Sequence, residues 1–352
     1  MTVLQDLGTR IAEAHRRHAP LRLRGAGTKD FYSERLEGDI LDLRAYTGIV
    51  DYEPSELVVV ARCGTPLSEL ETLLAGHQQY LPFEPPAFGG DPTIGGAVAA
   101  GLSGPRRQRV GAARDFVLGA VLLDVNGETL HFGGKVMKNV AGYDISRLLC
   151  GSLGILGPLV EVSIKVLPRP RAEQTLCFEM SDRDALSIFN DWSGQPLPIS
   201  ACAWFAGRAY VQLSGSESAL RTARERLGGE LLAPHTAAAW WGSVRHQTHA
   251  FFREASNLWR LSVPATTPPL ALPTSPFIEW GGALRWYACN QPAADIRAIA
   301  VDAGGTATHW RGENSGQRFH PLNPGVLHLH RQLKNKFDPH GIFNRGRLVN
   351  DF

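Results

Sequence analysis

The sequence predicts an α+β fold divided into two domains. With 352 residues, the chain is longer than a single hydrophobic core usually organises. Segments with helical spacing of apolar residues alternate with short β-branched runs along most of the chain. The proline-bracketed stretch PRPRAE (168–173) has the composition of a linker. We therefore expect one domain at 1–170 and a second domain that begins at 171.

The composition excludes several classes of protein. Hydrophobic residues make up 43% of the chain and charged residues 20%, which is typical of a folded globular protein and excludes disorder. The 36 Lys and Arg against 34 Asp and Glu leave a net charge of +2, so we expect no nucleic-acid partner. No apolar run approaches the roughly 18 residues of a transmembrane segment, and the N-terminus does not resemble a signal peptide. Five scattered cysteines predict buried thiols in the cytoplasm rather than disulfides or a cysteine-ligated metal.

The N-terminal domain mixes helices and strands. Residues 3–18 have the apolar spacing of an amphipathic helix, and LRLRG (21–25) is typical of a strand that runs into a glycine turn. ELVVVARCG (56–64) predicts a buried strand, and Thr65 is the predicted N-cap of the helix that follows. The clearest hairpin spans 117–132, because an Asn-Gly pair joins two β-rich runs there.

The sequence of the second domain predicts a ferredoxin-like module. TLCFEM, DRDALSIFNDW, SACAWF, RAYVQLSG, SALRTARERLGG and ELLAP follow the order of a β-α-β-β-α-β unit. A tryptophan-rich stretch at 237–254 is predicted to be helical, and a C-terminal helix is expected from about Pro324 to Lys336. No internal repeat is visible in the sequence.

Two glycine clusters in the first domain have the composition of phosphate-binding loops. Arg24-Gly25-Ala26-Gly27-Thr28-Lys29 follows a strand and offers consecutive backbone N–H groups flanked by positive charge. The cluster matches neither a P-loop nor the dinucleotide fingerprint, so by itself a solvated turn is the simpler interpretation. Thr93-Ile94-Gly95-Gly96 opens a helix of small residues, where the glycines would admit a diphosphate or serve close helix packing. Two such loops in one domain favour a bound diphosphate.

The ordered set of motifs resembles a known flavoprotein family. RGAGT, PPAFGGDPTIGGAVAAGLSG, KVMKNVAGYD and GSLGILGPLVEVSIKVLP follow the order of the PCMH-type FAD-binding domain, the vanillyl-alcohol-oxidase type. FDPHGIFNRGRL is similar to that family's closing D-P-x-G-I-x-N-P-G-[KR] motif. Within the family, the chain looks most like the E-type flavin subunit of bacterial glycolate oxidase. The resemblance implies a two-subdomain FAD-binding domain, a cap domain at 171–330 and a C-terminal segment at 331–352 that returns to the FAD domain.

The resemblance also implies which residues contact FAD. Arg24 to Lys29 would form the first pyrophosphate loop, and Thr93 to Gly96 would wrap the diphosphate and ribityl chain. Members with covalent flavin carry His or Cys near these loops, and this chain carries neither there, so we expect non-covalent FAD. Arg345 replaces the proline of the closing motif and is a candidate cation beside the flavin. The other implied FAD contacts are Ser103, Gly104, Gly111, Asp115, Lys138 and Gly157.

The catalytic residues are unknown from the sequence, which offers three weak candidates. Arg260 and Arg285 lie beside tryptophans on strands of the second domain, where each is a candidate anion clamp; stacking on the aromatic rings is the alternative. His320 is a candidate base, with a structural cap as the alternative. The histidine pairs 246/249 and 328/330 lack a third ligand, so no metal site is predicted.

Two segments are candidate partner surfaces. Arg106, Arg107, Arg109 and Arg114 form a basic cluster that would contact FAD phosphates or an acidic subunit. The tryptophan-rich segment 240–252 would be a docking face if exposed, with core packing as the simpler interpretation.

Three functions remain open. The first is the FAD-binding subunit of a complex that oxidises glycolate, a small 2-hydroxyacid, to glyoxylate, with a catalytic flavin subunit and an iron–sulfur subunit as partners. The chain lacks the H-x-x-G-D-G-N-x-H motif of the catalytic relatives, which argues against independent oxidation. The alternatives are a self-sufficient FAD oxidoreductase of a small alcohol, sugar or lactone, and a non-catalytic flavin-binding assembly subunit. We expect a cytoplasmic protein, with any membrane association made through partner subunits.

Overall fold

The chain forms helices and strands in the mixed order that the sequence predicts. The computed structural model describes residues 2–134, 144–313, 317–350 and 352. Its α-helices are α1 (Val3–Arg17), α2 (Leu67–Gly76), α3 (Ile94–Ala100), α4 (Arg107–Val110), α5 (Ile145–Leu149), α6 (Asp182–Ser193), α7 (Glu217–Leu227), α8 (Pro234–Arg245), α9 (Ala250–Glu254), α10 (Ala293–Asp302) and α11 (Pro324–Phe337). Its strands are β1 (Leu21–Arg24), β2 (Asp39–Asp42), β3 (Ile49–Glu53), β4 (Val58–Arg62), β5 (Gln79–Tyr80), β6 (Val117–Leu123), β7 (Thr129–Gly133), β8 (Leu159–Lys165), β9 (Leu167–Pro168), β10 (Ala172–Glu179), β11 (Ile199–Phe205), β12 (Arg208–Gly215), β13 (Glu230–Leu231), β14 (Leu258–Ser262), β15 (Phe277–Glu279), β16 (Leu284–Ala288) and β17 (Thr306–Arg311).

The chain divides into two compact units. The first comprises Met1–Leu102, Ala112–Pro168 and Pro321–Phe352, and the second comprises Ser103–Gly111 and Arg169–His320. This division differs from the predicted boundaries in two places. The segment 103–111 belongs to the second unit because α4 packs against β11 and Arg106 pairs with Glu173. The predicted boundary at 330 falls inside α11, which is one continuous helix of the first unit.

The first unit contains a five-stranded antiparallel sheet of order β3-β4-β8-β6-β7 and a parallel pair β1-β2. Helix α1 begins at a capping box between Thr2 and Gln5, and its apolar face packs against the core under β1. The C-terminal segment extends this small sheet, because Leu21 N donates to Ile342 O at 2.7 Å and Asn344 N donates to Leu21 O at 2.9 Å. The chain end is therefore a structural part of the first unit.

The second unit contains an eight-stranded antiparallel sheet of order β13-β10-β12-β11-β15-β16-β14-β17. Strands β10 to β13, with α6 and α7, have the order 4-1-3-2 of the predicted ferredoxin-like unit. Strands β14 to β17 repeat the same order in mirror sequence along the sheet, and β11 pairs with β15 where the halves meet. This duplication of strand order is not visible in the sequence, and no helix lies among the described residues between β14 and β15, where the first half has α6.

Three local predictions need correction or comment. Pro66, not Thr65, is the N-cap of α2, because Thr65 Oγ1 instead accepts a hydrogen bond from Gly48 N at 2.9 Å. The predicted helix at 237–254 is two helices, α8 and α9, which separate near Gln247 where φ is +54°. The 117–132 hairpin is confirmed as β6-β7. None of the helices in the described part of the chain has the length and apolar content needed to cross a membrane.

Candidate functional site

A pocket in the first unit brings the two glycine clusters together. It contains about 700 Å³ of space free of protein atoms, part of which is open solvent. Its wall combines the loop Arg24–Asp30 with parts of the α3 segment, the turn that contains Gly154 and Gly157, and the C-terminal residues Asn344 and Arg347. Segments more than three hundred residues apart therefore form one site.

The glycines of the pocket permit this close approach of segments. A Cβ on Gly25 would lie 2.4 Å from Thr93 Oγ1, and a Cβ on Gly95 would lie 2.4 Å from Cys63 Cβ. Gly27 has φ +75°, a conformation that residues with a side chain rarely adopt. The glycines thus hold the first loop against α3 and hold α3 against the end of β4.

The first loop presents free amide groups to the pocket. Among the described residues, no hydrogen-bond acceptor pairs with the backbone N–H groups of Gly25 to Lys29, although these residues are partly or fully buried. Five consecutive amides on the pocket wall without a protein acceptor are available to a ligand or to water. Consecutive amides around glycines form a concave site for anions. The loop therefore has the geometry of an anion site, as the sequence predicts.

The second glycine cluster, at the start of α3, lines the pocket but does not offer the free backbone amides that the sequence suggests. The amides at the start of α3 already have acceptors: Ile94 N donates to Thr65 O at 2.9 Å, Gly95 N to Cys63 O at 3.0 Å, and Gly96 N to Thr93 Oγ1 at 3.1 Å. Thr93, Gly95 and Gly96 line the pocket, whereas Ile94 is fully buried in the core. The α3 segment thus forms a tightly packed wall and offers no free amides there.

The pocket is positively charged. Its charged lining residues are Arg24, Lys29, Arg347 and Asp30, which leave a net charge of +2. Asp30 accepts from Arg22 Nη2 at 2.5 Å and lies 3.4 Å from Arg24 Nε and 3.5 Å from Arg347 Nη2. One carboxylate therefore faces several guanidinium groups, and positive charge remains for a ligand.

Arg347 is a site residue that the sequence reasoning missed. The residue is 8% exposed, its Nη1 donates to Leu23 O at 3.3 Å, and its Nε has no hydrogen-bond partner among the residues that the structure describes. Burial lowers the pKa of its guanidinium. Arg347 occupies the [KR] position of the closing motif, which is the signal that could have identified it.

Asn344 fixes the C-terminal segment to the wall of the pocket. Its side chain accepts from Leu23 N at 2.8 Å and donates to Leu153 O at 2.7 Å, so one amide bridges β1 and the Gly154 turn. A buried ion pair, Lys334 Nζ to Asp338 Oδ2 at 2.7 Å, supports the same segment. Asp338 also accepts from backbone amides of the closing motif.

Cys63 is the thiol that lines the pocket. It is fully enclosed, and burial raises the pKa of the thiol well above its ordinary value. The sequence reasoning placed no cysteine near the loops because Cys63 is thirty residues from either one. A neutral buried thiol is a poor nucleophile, so this residue does not favour covalent attachment of a ligand.

Several predicted cofactor contacts lie elsewhere. Gly157 lines the pocket, but Arg345 does not: its Nε donates to Gly341 O at 3.0 Å and its Nη1 lies 3.6 Å from Glu37. Arg345 thus braces the closing turn, whereas Arg347 lines the pocket. A contact between Arg345 and the flavin stays a prediction. Lys138 lies outside the described residues.

The remaining predicted contacts are not part of this pocket. Ser103, Gly104 and Gly111 belong to the second unit, where Gly104 O accepts from Trp280 Nε1 at 3.0 Å. Asp115 lies in the first unit, and its side chain accepts from Ala112 N at 2.8 Å. These residues have structural partners within their own units.

The candidate catalytic residues of the second unit also have structural partners. Arg285 is fully buried, and its guanidinium donates to the carbonyls of Gly282, Pro268 and Thr267, so it is not available as an anion clamp. His320 Nδ1 accepts from Ala307 N at 3.3 Å, and burial lowers the pKa of the imidazole.

Arg260 stands among aromatic rings. Its guanidinium carbon lies 5.3 Å from the ring of Trp280, 5.8 Å from Trp286 and 5.9 Å from Trp310. These are cation–π distances, which agree with the stacking alternative.

Parts of the two candidate partner surfaces have partners within the second unit, whereas Arg114 of the basic cluster is exposed and belongs to the first unit. Arg106 is buried and pairs with Glu173, and the guanidinium of Arg107 lies 4.5 Å from the ring of Trp280. Trp241 is buried and donates to Thr175 Oγ1 at 3.0 Å, while Trp240 stacks on Tyr210. The alternative of core packing for these tryptophans agrees with the structure.

The sequence is similar to an FAD-binding domain family and to subunits of glycolate oxidases. A sequence family described as an FAD binding domain matches residues 2–133. The chain is 45% identical to glycolate oxidase subunit GlcE of Escherichia coli (strain K12), over 98% of this chain and 97% of that protein. It is 36% identical to glycolate oxidase subunit GlcD of Bacillus subtilis (strain 168), but over only 31% of this chain and 23% of that one.

A solved structure supports the fold. Alkyldihydroxyacetonephosphate synthase superposes with a TM-score of 0.66 at 15% sequence identity, covering 97% of this chain and 74% of that protein. This likeness confirms the predicted fold class. The identity and coverage shared with the Escherichia coli protein confirm the resemblance drawn from the motifs, and the chain therefore belongs to the GlcE family of FAD-binding glycolate oxidase subunits.

Proposed function

We propose that the chain binds one FAD non-covalently in the pocket of its first unit and serves as the FAD-binding subunit of a glycolate oxidase. The observation that carries the proposal is the loop of five free amides in a pocket whose net charge is +2. A diphosphate bridge carries two negative charges and needs several donors, which this loop and its cations offer. The residues present therefore fit the cofactor.

Each part of the pocket has a separate role in this proposal. The amides of Gly25 to Lys29 donate to the diphosphate, and Arg24, Lys29 and Arg347 balance its charge. Gly95 lets α3 pack against Cys63, and this contact fixes the position of the opposite wall of the pocket. Asn344 would hold the Gly154 turn against β1 on the wall of the pocket. When bound, FAD supplies the acceptor for a hydride and for its two electrons.

We propose that turnover of glycolate to glyoxylate requires partner subunits. The candidate arginine clamp Arg285 and candidate base His320 are engaged in structural hydrogen bonds, and the histidine-rich motif of the catalytic relatives is missing. A base within reach of the substrate is needed for efficient oxidation of a 2-hydroxyacid. The proposed partners are a catalytic flavin subunit and an iron–sulfur subunit, and the second unit corresponds to the cap domain of the family.

We place the assembly in the cytoplasm. The five cysteines are free and four of them are buried, which suits a reducing compartment. Membrane association, where it occurs, is proposed to be made through partner subunits.

The test is to purify the chain alone and together with its proposed partners. The isolated chain should carry flavin but reduce an artificial dye with glycolate far more slowly than the assembled complex. Turnover by the isolated chain at the rate of the complex would contradict the proposal and favour a self-sufficient oxidoreductase. Full activity of a complex in which this subunit contains no flavin would favour a non-catalytic assembly role instead.

A further inference from the structure

Lys29 is a buried cation without a carboxylate partner. Its side chain is 6% exposed and lines the pocket of the first unit. Its Nζ donates to Thr28 Oγ1 at 3.3 Å and lies 5.6 Å from the centre of the Phe88 ring. No ion pair joins Lys29 to any residue in the described ranges.

Such a position is costly for the charged form of lysine. A buried ammonium needs strong partners, and one hydroxyl with one aromatic face compensates only part of the lost hydration. Burial accordingly lowers the pKa of Lys29 to about 8. An anion placed in the pocket would raise the pKa of Lys29, because a nearby negative charge favours the charged ammonium.

We infer that Lys29 takes up a proton when the diphosphate of the cofactor binds, so that cofactor affinity is coupled to protonation of this one side chain. The inference rests on the proposed function and concerns the chain's own residue. It predicts that FAD is held most tightly at neutral pH and is released as the solution becomes alkaline.

The other charged and titratable groups of the pocket do not explain such a dependence. Arg24 and Arg347 are guanidinium groups, which remain charged in proteins. Asp30 is already engaged by arginines, and the Cys63 thiol remains neutral because burial raises its pKa. Lys29 is thus the lining residue whose charge changes between pH 7 and pH 9.

The first experiment measures proton uptake directly. The full chain, freed of flavin, is titrated with FAD by calorimetry at pH 7 and pH 9 in two buffers of different protonation enthalpy. With a pKa of about 8 in the free chain, Lys29 is mostly charged at pH 7 and mostly neutral at pH 9, so proton uptake should be small at pH 7 and approach one proton at pH 9. The dissociation constant should rise about tenfold over the same range.

Two variants keep the inference falsifiable. Lys29→Arg keeps the charge but does not titrate, so its FAD affinity should be constant from pH 7 to pH 9, with no proton uptake. Lys29→Met keeps the length without the charge and should bind weakly, also without pH dependence. The rate of FAD release on dilution of the flavin-loaded chain gives the same comparison without a flavin-free preparation.

The outcomes separate the inference from the proposed function. Uptake that persists in Lys29→Arg, or wild-type affinity that is equal at pH 7 and pH 9, would overturn the inference while leaving FAD binding intact. Absence of FAD binding by the wild-type chain at pH 7 would instead overturn the proposed function and the inference with it.

Discussion

Replacement of Gly95 by alanine tests how closely α3 must approach the end of β4. The added Cβ would lie 2.4 Å from Cys63 Cβ, 2.8 Å from Cys63 O and 3.0 Å from Cys63 Cα. Ordinary carbon contacts are about 3.5–4.0 Å, so the overlap is about 1 Å and partly involves backbone that cannot rotate away. The hindrance therefore arises from Cys63 and the packing of α3, not from a side chain that meets a phosphate.

The magnitude follows from two opposing effects. Overpacking of this kind costs about 1–3 kcal/mol. Alanine is favoured over glycine inside a helix by up to about 1 kcal/mol, which offsets part of that cost. We expect Gly95→Ala to lower the free energy of unfolding of the first unit by about 1–2 kcal/mol and to weaken FAD binding, because the pocket wall moves.

Gly96→Ala is the matched control. Its Cβ would meet only Thr93 Oγ1, at 3.2 Å, so its stability should differ from wild type by less than about 1 kcal/mol. The assay is urea unfolding followed by near-UV circular dichroism, together with titration of FAD by fluorescence quenching. Equal unfolding midpoints for Gly95→Ala and Gly96→Ala, with equal FAD affinities, would refute the packing argument.

Three further predictions concern Asn344, the non-covalent state of the flavin, and two histidines of the second unit. Asn344→Asp keeps the acceptor for β1 but leaves Leu153 O without a donor, so it should destabilise the first unit by about 1–3 kcal/mol in urea unfolding; an unchanged midpoint would contradict the bridge. Acid precipitation should release all flavin as FAD into the supernatant, whereas flavin that stays with the pellet and is lost in Cys63→Ala would show a covalent link. Burial lowers the pKa of His309 and His320, so the unfolded state binds more protons below about pH 6.5 and the unfolding midpoint should fall from pH 7.5 to pH 5.5; a constant midpoint would contradict this.

The local features of the site could be predicted from the sequence. The loop Arg24–Lys29 combines glycines, charge and a preceding strand within six residues, so its anion-binding character is a local property. The β6-β7 hairpin is local for the same reason, because its Asn-Gly turn sets the register of adjacent residues.

The features that were missed depend on long-range contacts. Arg347 lines the pocket because the chain end pairs with β1. Cys63 lines it because the end of β4 packs against α3. Arg345 and Arg347 differ by two positions in the same motif, with Gly346 at φ +66° between them, and Arg347 rather than Arg345 lines the pocket. Likewise, the sequence suggests that the first amides of α3 are available to a ligand. In the fold, Ile94 N and Gly95 N donate hydrogen bonds to Thr65 O and Cys63 O.

The duplicated strand order in the second unit also depends on long-range contacts and could not be predicted from the sequence. The two halves of the eight-stranded sheet share a strand order but not a visible sequence repeat. Strand order is set by which edges pair, and many sequences with suitable alternation of apolar residues satisfy the same pairing.

The central claim is that the first unit recognises FAD through its diphosphate, and one titration tests it most directly. The flavin-free chain is titrated at pH 7 with FAD, FMN and riboflavin, and binding is followed by the quenching of flavin fluorescence. The account predicts saturable binding of one FAD per chain, with FMN and riboflavin much weaker, because only FAD places a diphosphate on the free amides of Gly25 to Lys29. Riboflavin binding as tight as that of FAD, or no saturable binding of FAD, would contradict it.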